Sequence, residues 1–359
     1  MNLTDSFAEL KNYNHIESVT LITILEYCIR NTVIKKYSSV ENLDIFIDYE
    51  NGSIDIWRNR IIINEVQESN KEIEISSAKQ IEYDFEVGEE VTEQFFLNLL
   101  DRRYILTFKD NFVFKRKEYY NIWMYNKFKT KIGDIVAGQV FHAKKDLIIR
   151  DDDHNDMFLS KKEQMFNDFM RKRDSIRAII KTVYWEDSQP IIILSRTVPN
   201  FIKKLFEQEI PDILDGFIMI KQVVRIPGEK SKVSVVSSDP HIDPVVVCLG
   251  IKGIRIHAIV KELKTENIDV IKYSNNIHLY ILRSLSPTKI SMIEIDEQNK
   301  TAMISLKNDQ VSKAIGLNGK NIRLANKLTN FKINILRNYY NKYHKYEEEI
   351  SKFSYKITR

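Results

Sequence analysis

Apolar positions in the first third of the chain change from a helical to an alternating period. From Ser18 to Lys36 apolar residues recur every three or four positions, which predicts an amphipathic helix. Apolar and polar residues then alternate through residues 43–58 around Asn51-Gly52, a dipeptide typical of tight turns between antiparallel strands. We therefore predict a helix followed by a β-hairpin, with a third strand from Arg60 to Glu65.

A long helix is predicted after an acidic stretch at residues 82–93. The segment from Phe95 to Thr130 contains neither glycine nor proline and is rich in long and aromatic side chains. Its basic and aromatic end, around Lys115-Arg116-Lys117, suits either nucleic-acid binding or a solvated helix that covers a neighbouring domain. Both interpretations stay open for this connector.

Residues 131–197 lose the helical period and carry five short β-like runs. The runs are 134–143, 147–151, 156–160, 175–185 and 190–196. Five strands in about 65 residues fit a barrel of the OB type. A helical turn predicted from Lys161 to Asn167 falls between strands three and four, where such barrels place one.

From residue 198 onward one order of elements occurs twice. The order is helix, two strands, helix, G-x-x-G loop, helix and strand, first in residues 198–274 and again in 275–336. Asp243-Pro244 predicts a helix start, with an N-cap followed by proline at the first helical position. No Gly/Ser-rich linker separates the two units, so we expect them to pack as one platform.

The repeated loops are Gly250-Ile251-Lys252-Gly253 and Gly316-Leu317-Asn318-Gly319. With ten glycines in the chain, G-x-x-G would arise by chance about 0.3 times. Each loop opens a predicted helix, whose free backbone N–H groups and positive end suit phosphate oxygens. KH modules use such loops to clamp about four nucleotides of a single strand. A plain tight turn is the alternative for a single copy, and the duplication disfavours it.

Charge divides the chain into an acidic front and a basic rear. Counting Lys and Arg against Asp and Glu, residues 1–130 carry −6 and residues 131–359 carry +10. This division predicts a polyanion as the partner of the rear part. No signal-peptide order and no run long enough to span a bilayer occur, so we expect no membrane partner and a cytoplasmic location. Cys28 and Cys248 are predicted to be buried thiols.

Two motifs resemble a metal site and a nucleotide-binding loop but lack residues that these sites require. The acidic run at residues 151–156 lacks the glycine and the glutamate of a calcium loop and is predicted to be a solvated turn. Gly133 and Gly138 have the Walker spacing, but Gln139 and Val140 stand where lysine and Ser/Thr are required. The histidines are scattered. We therefore predict no catalytic residue, no metal, no cofactor and no enzyme activity.

Several stretches, read in order, resemble the NusA family of bacterial transcription elongation, termination and antitermination factors. They are residues 193–197, 204–213, 225–232 and 242–245, both G-x-x-G loops, and the stretch from residue 314 to residue 325 that contains the second loop. The resemblance covers residues 131–336 closely and residues 1–130 more loosely, chiefly at Trp57 to Val66.

The resemblance implies a multi-domain α+β protein. An N-terminal α/β domain with the connector helix (1–130) would bind core RNA polymerase. An OB-type barrel like that of ribosomal protein S-one (131–197) and two KH domains of type II, with αββααβ order (198–274 and 275–336), would hold nascent single-stranded RNA. A charged tail (337–359) follows. Other antitermination factors are further expected partners, and the implied effects are on pausing, termination and antitermination.

The resemblance also implies which residues contact RNA. In the first KH unit they are Gly250, Ile251, Lys252, Gly253 and Arg255. In the second they are Gly316, Leu317, Asn318, Gly319, Lys320 and Arg323, and basic positions flanking the first unit are Arg225, Lys230 and Lys232. The second loop has no basic residue between its glycines. In the barrel, Phe141 and Phe158 are candidate base-stacking platforms.

Two other functions are considered beside this one. A ribosome-assembly factor, or another KH and S-one RNA-binding protein that is not attached to polymerase, would share the platform. An exoribonuclease of the polynucleotide-phosphorylase kind would need a phosphorolytic core, for which residues 1–130 are too short.

Overall fold

The computed structural model describes residues 18–37, 42–48, 53–96 and 100–336. Contacts divide the chain into two compact units, residues 1–127 with 185–190 and residues 128–184 with 191–359. No helix among the described residues is long and apolar enough to cross a membrane.

The N-terminal unit combines a four-stranded sheet with two longer helices. Its strands are β1 (Leu43–Asp48), β2 (Ser53–Ile63), β3 (Glu72–Glu74) and β4 (Glu90–Gln94), and its helices are α1 (Ser18–Tyr37), α2 (Ile75–Ala78) and α3 (Arg102–Lys129). β2 pairs antiparallel with β1 and β4 and parallel with β3. Cys28 of α1 and Phe112 of α3 pack against Ile47 and Ile54 of the hairpin. The sheet is thereby covered by helices on one face.

The predicted helix and the pairing of the hairpin strands are confirmed in this unit. The predicted Asn51-Gly52 turn lies outside the described residues. The third strand predicted at residues 60–65 is wrong, because β2 runs on without a break to Ile63. Ile56 and Ile62 have the same parity along β2 and both are buried, so the alternation continues through this stretch.

The connector helix begins later than predicted, at Arg102 rather than at Phe95. Phe95 is buried in the core of this unit, and its backbone N–H donates to the carbonyl of Ile56. The sequence analysis does not predict the strand that precedes it, β4, because Val91 is the one apolar residue among its five. Val91 is the buried residue of that strand.

The second unit begins with a closed barrel in the order β5-β6-β7-β9-β8. Its strands are β5 (Ile135–Ala143), β6 (Leu147–Arg150), β7 (Asp156–Leu159), β8 (Ser175–Glu186) and β9 (Gln189–Ser195). All five predicted strands are confirmed, and each end lies within one residue of its predicted position. The predicted helical turn is shorter, a 3-10 turn at Lys161–Glu163, and residues 164–174 form a loop.

Two three-stranded sheets follow, each flanked by helices. The first repeat contains α4 (Pro199–Glu209), α5 (Pro211–Leu214), β10 (Ile218–Ile226), β11 (Lys230–Ser237), α6 (Pro244–Leu249), α7 (Ile254–Leu263) and β12 (Asn267–Lys272). The second contains α8 (Ile277–Ser284), β13 (Met292–Asp296), β14 (Thr301–Ser305), α9 (Asn308–Ile315), α10 (Lys320–Thr329) and β15 (Lys332–Leu336). In both sheets the central strand pairs antiparallel with the first strand and parallel with the last. The predicted αββααβ order is confirmed in both repeats.

The two repeats share a hydrophobic core. The face of the first sheet that points away from its own helices carries Val224 and Ile271. Both pack against Tyr280, Leu324 and Leu328 from the helices of the second repeat. The expected close packing of the two repeats is therefore confirmed.

A buried ionic network joins the barrel to the first repeat. The guanidinium of Arg196, at the end of β9, donates to Asp168 Oδ2 at 2.7 Å and to Glu262 Oε1 at 2.8 Å. Arg225 of β10 donates to the carbonyl of Arg196 at 2.8 Å and to Glu266 Oε1 at 3.0 Å. Each guanidinium finds several acceptors, as a charge removed from water requires.

The two cysteines are buried and unpaired, as predicted, and lie in different units. Burial raises the pKa of Cys28 to about 11 and that of Cys248 to about 12. At pH 8 an unperturbed cysteine, with a pKa of about 8.5, is partly thiolate and therefore reactive. The native thiols should be neither ionised nor accessible.

We therefore predict that neither thiol of the native protein reacts with a disulfide reagent at pH 8 within the mixing time. Protein unfolded in denaturant should release two equivalents of chromophore at once, which serves as the control. Slow labelling of Cys28 then reports opening of the N-terminal unit, and slow labelling of Cys248 reports opening of the first repeat. Immediate reaction of either native thiol would contradict its burial.

Candidate nucleic-acid interface

The two G-x-x-G loops have the same backbone conformation. Gly250 and Gly316 have φ 71° with ψ 177° and 173°, a region that is essentially limited to glycine. Lys252 (φ 54°, ψ 22°) and Asn318 (φ 52°, ψ 27°) are both left-handed. The closing glycines are left-handed as well. Each loop is thus a corner of matching shape between two helices.

The first glycine of each loop is tightly packed, whereas the last is open. A Cβ atom on Gly250 would lie 2.8 Å from Arg255 Cγ, and one on Gly316 would lie 2.7 Å from Asn321 Cβ. A Cβ atom on Gly319 would meet no atom within 4 Å, and one on Gly253 would meet only Ile256 Cγ2, at 3.8 Å. The first glycines therefore let the corners close, and the last leave space for the backbone of a ligand.

Arg255 and Asn321 occupy equivalent positions and hold the two corners together. Arg255 donates to the carbonyl of Val247 at 3.0 Å and to Asp212 Oδ2 at 2.9 Å. Asn321 Nδ2 donates to the carbonyl of Ala314 at 3.2 Å. Both side chains satisfy carbonyl groups at the end of the preceding helix. The sequence prediction missed this positioning role, although alignment of the two loops would have shown that the two positions correspond.

The outer surface of both corners is exposed and apolar at one matching position. Ile251 is 83% exposed and Leu317 is 78% exposed. Lys252 is exposed in the first loop, and the corresponding Asn318 is exposed in the second. The loops therefore differ in charge while they share shape and apolar surface.

Cations near the second loop come from its flanking helices. Lys313 of α9 and Arg323 and Lys327 of α10 are exposed, and no carboxylate of the described residues pairs with them. Lys320 is engaged, because its Nζ lies 3.0 Å from Glu229 Oε2 of the first repeat. The exposed positive charge at this corner is thus carried mainly by the other three residues.

Two of the flanking basic residues predicted to contact RNA do not reach the surface. Arg225 is buried in its ion pair with Glu266, and Lys232 is buried with its Nζ 2.8 Å from Asp269 Oδ2. Burial lowers the pKa of Lys232, while the Asp269 carboxylate acts in the opposite direction. The prediction for Arg225 and Lys232 is therefore wrong. Lys230 is partly exposed, and it shares the carboxylate of Asp269 at 2.9 Å.

The barrel presents its predicted stacking residues only in part. The guanidinium carbon of Arg150 lies 3.7 Å from the ring centroid of Phe141, and Asp156 Oδ1 accepts from Arg150 Nε at 2.8 Å. One face of Phe141 is therefore already covered by a cation. Phe158 is half-buried in β7. In the acidic run at residues 151–156, the carboxylate of Asp151 accepts from the backbone and side-chain N–H groups of Asn155, whereas Asp152 and Asp153 are exposed.

Comparisons with known proteins match most of the chain. Family models match residues 2–120 as a NusA N-terminal domain, residues 196–273 as a NusA-like first KH domain and residues 277–342 as a NusA-like second KH domain.

Three relatives bear the name transcription termination/antitermination protein NusA. The protein of Halalkalibacterium halodurans is 33% identical over 331 residues, covering 92% of this chain and 87% of the relative. That of Bacillus subtilis is 32% identical over 333 residues, covering 93% and 90%. That of Thermus thermophilus is 32% identical over 292 residues, covering 81% and 76%.

The matching corners offer an exchange experiment. Affinity for unstructured single-stranded RNA falls as salt rises, and we predict that Lys252→Asn makes this fall shallower. The log–log slope should become less negative by about 0.7, the value for one lost phosphate contact. Asn318→Lys should make the slope more negative by a similar amount. Asparagine already adopts this backbone conformation in the second corner and tolerates it well, so Lys252→Asn should not lower the unfolding midpoint.

The slopes are measured by fluorescence anisotropy in a salt titration of the full chain. Lys109→Asn, at an exposed lysine of the N-terminal unit, is the matched control and should leave the slope unchanged. Equal slopes for the native protein and for both exchanged variants would contradict phosphate binding at the corners.

Proposed function

The chain belongs to the NusA family of transcription termination/antitermination proteins, and we propose that it binds RNA polymerase and the emerging transcript at the same time. Its two KH domains indicate RNA binding. In this proposal the N-terminal domain (1–130) binds core polymerase, and the barrel (131–197) and the KH domains (198–274 and 275–336) hold single-stranded nascent RNA. Pausing, termination and antitermination are the steps on which it acts.

The observation that carries the proposal is the pair of equivalent corners on one shared core. Each corner opens a ten-residue helix, whose N-terminus carries roughly half a positive charge. Backbone N–H groups at such a terminus donate to phosphate oxygens without regard to base identity. The proposed RNA contacts are Gly250, Ile251, Lys252, Gly253, Gly316, Leu317, Asn318, Gly319 and Arg323.

Apolar loop positions complete the proposed contact. Ile251 and Leu317 lie beside the glycines, where the flat faces of bases could rest once the phosphates are held. We assign Arg255 and Lys320 mainly to holding the corners, through Asp212 and Glu229. The RNA is bound and no bond in it is broken, so the proposal includes no catalytic residue.

The charge division supports this assignment of partners. The N-terminal 130 residues carry −6 and repel a polyanion, whereas the remainder carries +10. The front part is therefore proposed to contact a protein, the polymerase, and the rear part to contact RNA. The proposed location is the cytoplasm, and other antitermination factors are proposed as additional partners.

Copurification tests the division of labour. We predict that the full chain captures core polymerase and that a chain lacking residues 1–130 does not, while both bind single-stranded RNA. Capture of ribosomal subunits in place of polymerase would favour a ribosome-assembly factor. Phosphate-dependent release of nucleoside diphosphates from RNA would favour an exoribonuclease.

Charge reversal tests the first corner. We predict that the double variant Ile251→Asp, Lys252→Asp weakens RNA binding about 10-fold or more at low salt, because two carboxylates then face the phosphates. Polymerase capture should be unchanged. Both side chains are exposed, so the unfolding midpoint should stay the same.

A matched control exists within the chain. Lys79 and Ile81, two positions apart in the N-terminal unit, are also exposed, and their change to aspartate adds the same charge outside the proposed RNA-binding domains. If this control weakens RNA binding as strongly as the loop variant does, the effect is general electrostatics and the clamp is contradicted.

A further inference from the structure

Two phenylalanine side chains project into solvent from the loop between the 3-10 turn of the barrel and β8. Phe166 is 86% exposed and Phe169 is 82% exposed, more than any other phenylalanine of the described residues. Single exposed apolar residues are common on protein surfaces. Two nearly bare aromatic rings three residues apart in one turn are unusual and point to a partner.

The turn that carries these rings is firmly anchored. Asp168, between the two phenylalanines, is buried and accepts from Arg196 Nε at 2.7 Å, and its backbone N–H donates to the carbonyl of Met165 at 3.0 Å. On the other side, Asn167 Nδ2 donates to Thr265 Oγ1 of the first KH domain at 2.9 Å. The turn that carries the two rings is therefore held by contacts with both the barrel and the first KH domain.

The surroundings of the two rings are positively charged. The loop continues with Arg171, Lys172 and Arg173, which are all exposed. Lys264, just after α7, places its Nζ 3.9 Å from Met170 Sδ and 3.9 Å from Asp168 Oδ1, and its side chain stays 40% exposed. The buried carboxylate of Asp168 is shared by Arg196 and Lys264, and that of Asp174 accepts from the backbone N–H of Arg171 at 2.7 Å. Exposed aromatic rings beside exposed cations are the features by which proteins hold single-stranded nucleic acids.

We propose that Phe166 and Phe169 form a base-stacking site for single-stranded RNA, with Arg171, Lys172 and Lys264 holding its phosphates. This inference rests on the proposed function, because it extends the RNA path from the first corner. Helix α7 begins at that corner and ends beside Lys264, and ten helical residues span about 15 Å. One strand can therefore engage the corner and the two rings together.

The two rings also give the barrel free aromatic faces on which bases can stack. Phe141 has one face covered by Arg150, whereas Phe166 and Phe169 are bare. Stacking requires a free ring face and tolerates any base. A protein partner for this surface would have to supply acidic groups to match the cations, and a phosphate backbone supplies them at every nucleotide.

The test measures RNA affinity of full-length variants by fluorescence anisotropy with an unstructured single strand of about 16 nucleotides, the upper end of OB-type site sizes. F166A/F169A should lower affinity about 5-fold or more, and F166Y/F169Y, which keeps the rings, should stay within about 2-fold of the native protein. F166L/F169L should behave like the alanine variant, because leucine is apolar but cannot stack. Unfolding midpoints should be equal, since the removed rings are exposed.

Phe114→Ala is the matched control, because it removes an exposed phenyl ring from the N-terminal unit and should leave RNA affinity unchanged. Arg171→Gln with Lys172→Gln should make the slope of log affinity against log salt less negative by about 0.7 for each lost phosphate contact. The Ile251→Asp, Lys252→Asp variant, measured in parallel, tests the corner separately from the rings.

Unchanged RNA affinity in F166A/F169A would overturn the stacking site and leave the proposed function standing if the corner variant still loses affinity. Unchanged RNA affinity together with lost polymerase capture would assign the rings to a protein partner and overturn the proposal. Unchanged affinity in the corner variant alone would instead contradict the clamp, with the stacking site supported by the loss in F166A/F169A.

Discussion

The junction of the barrel and the first KH domain depends on two guanidinium groups that are almost completely removed from water. Arg196 and Arg225 are linked through the Arg196 carbonyl and are neutralised by Asp168, Glu262 and Glu266. Removing one partner of such a buried pair typically costs about 3–5 kcal/mol, because a charge is left uncompensated. The same network positions the barrel loop at residues 164–174, through Asp168, and the end of α7, through Glu262. Buried contacts therefore fix the exposed surface of that loop.

Much of the architecture could be predicted from local patterns. Barrel strands and repeats were recognisable because alternation, turn residues and helix caps are short-range signals, as Asp243 shows by accepting from the N–H of Val245. Short or acidic strands such as β3 and β4 were missed, since they carry few apolar residues. Continuity of β2 through residues 60–63 was missed for a related reason, because two arginines interrupt its apolar spacing.

The sequence predicts the position of the glycine loops correctly, but it does not predict which of the basic side chains around them are exposed. Glycine spacing reports a backbone conformation, which is local. Whether a basic side chain faces water depends on strand register. Lys232 meets Asp269 only because β11 and β12 run parallel, and Arg225 meets Glu266 across 41 positions of sequence. Arg150 covers Phe141 because β5 and β6 are paired neighbouring strands. No composition or spacing argument distinguishes such internal cations from exposed ones.

The shared core of the two repeats has a consequence for the transcript. Val224 and Ile271 are kept from water by the helices of the second repeat, so the repeats cannot swing apart without exposing them. The distance between the two glycine corners is therefore fixed by the fold. In the proposed function, one unpaired strand can therefore reach both corners only when it is at least long enough to span this fixed distance.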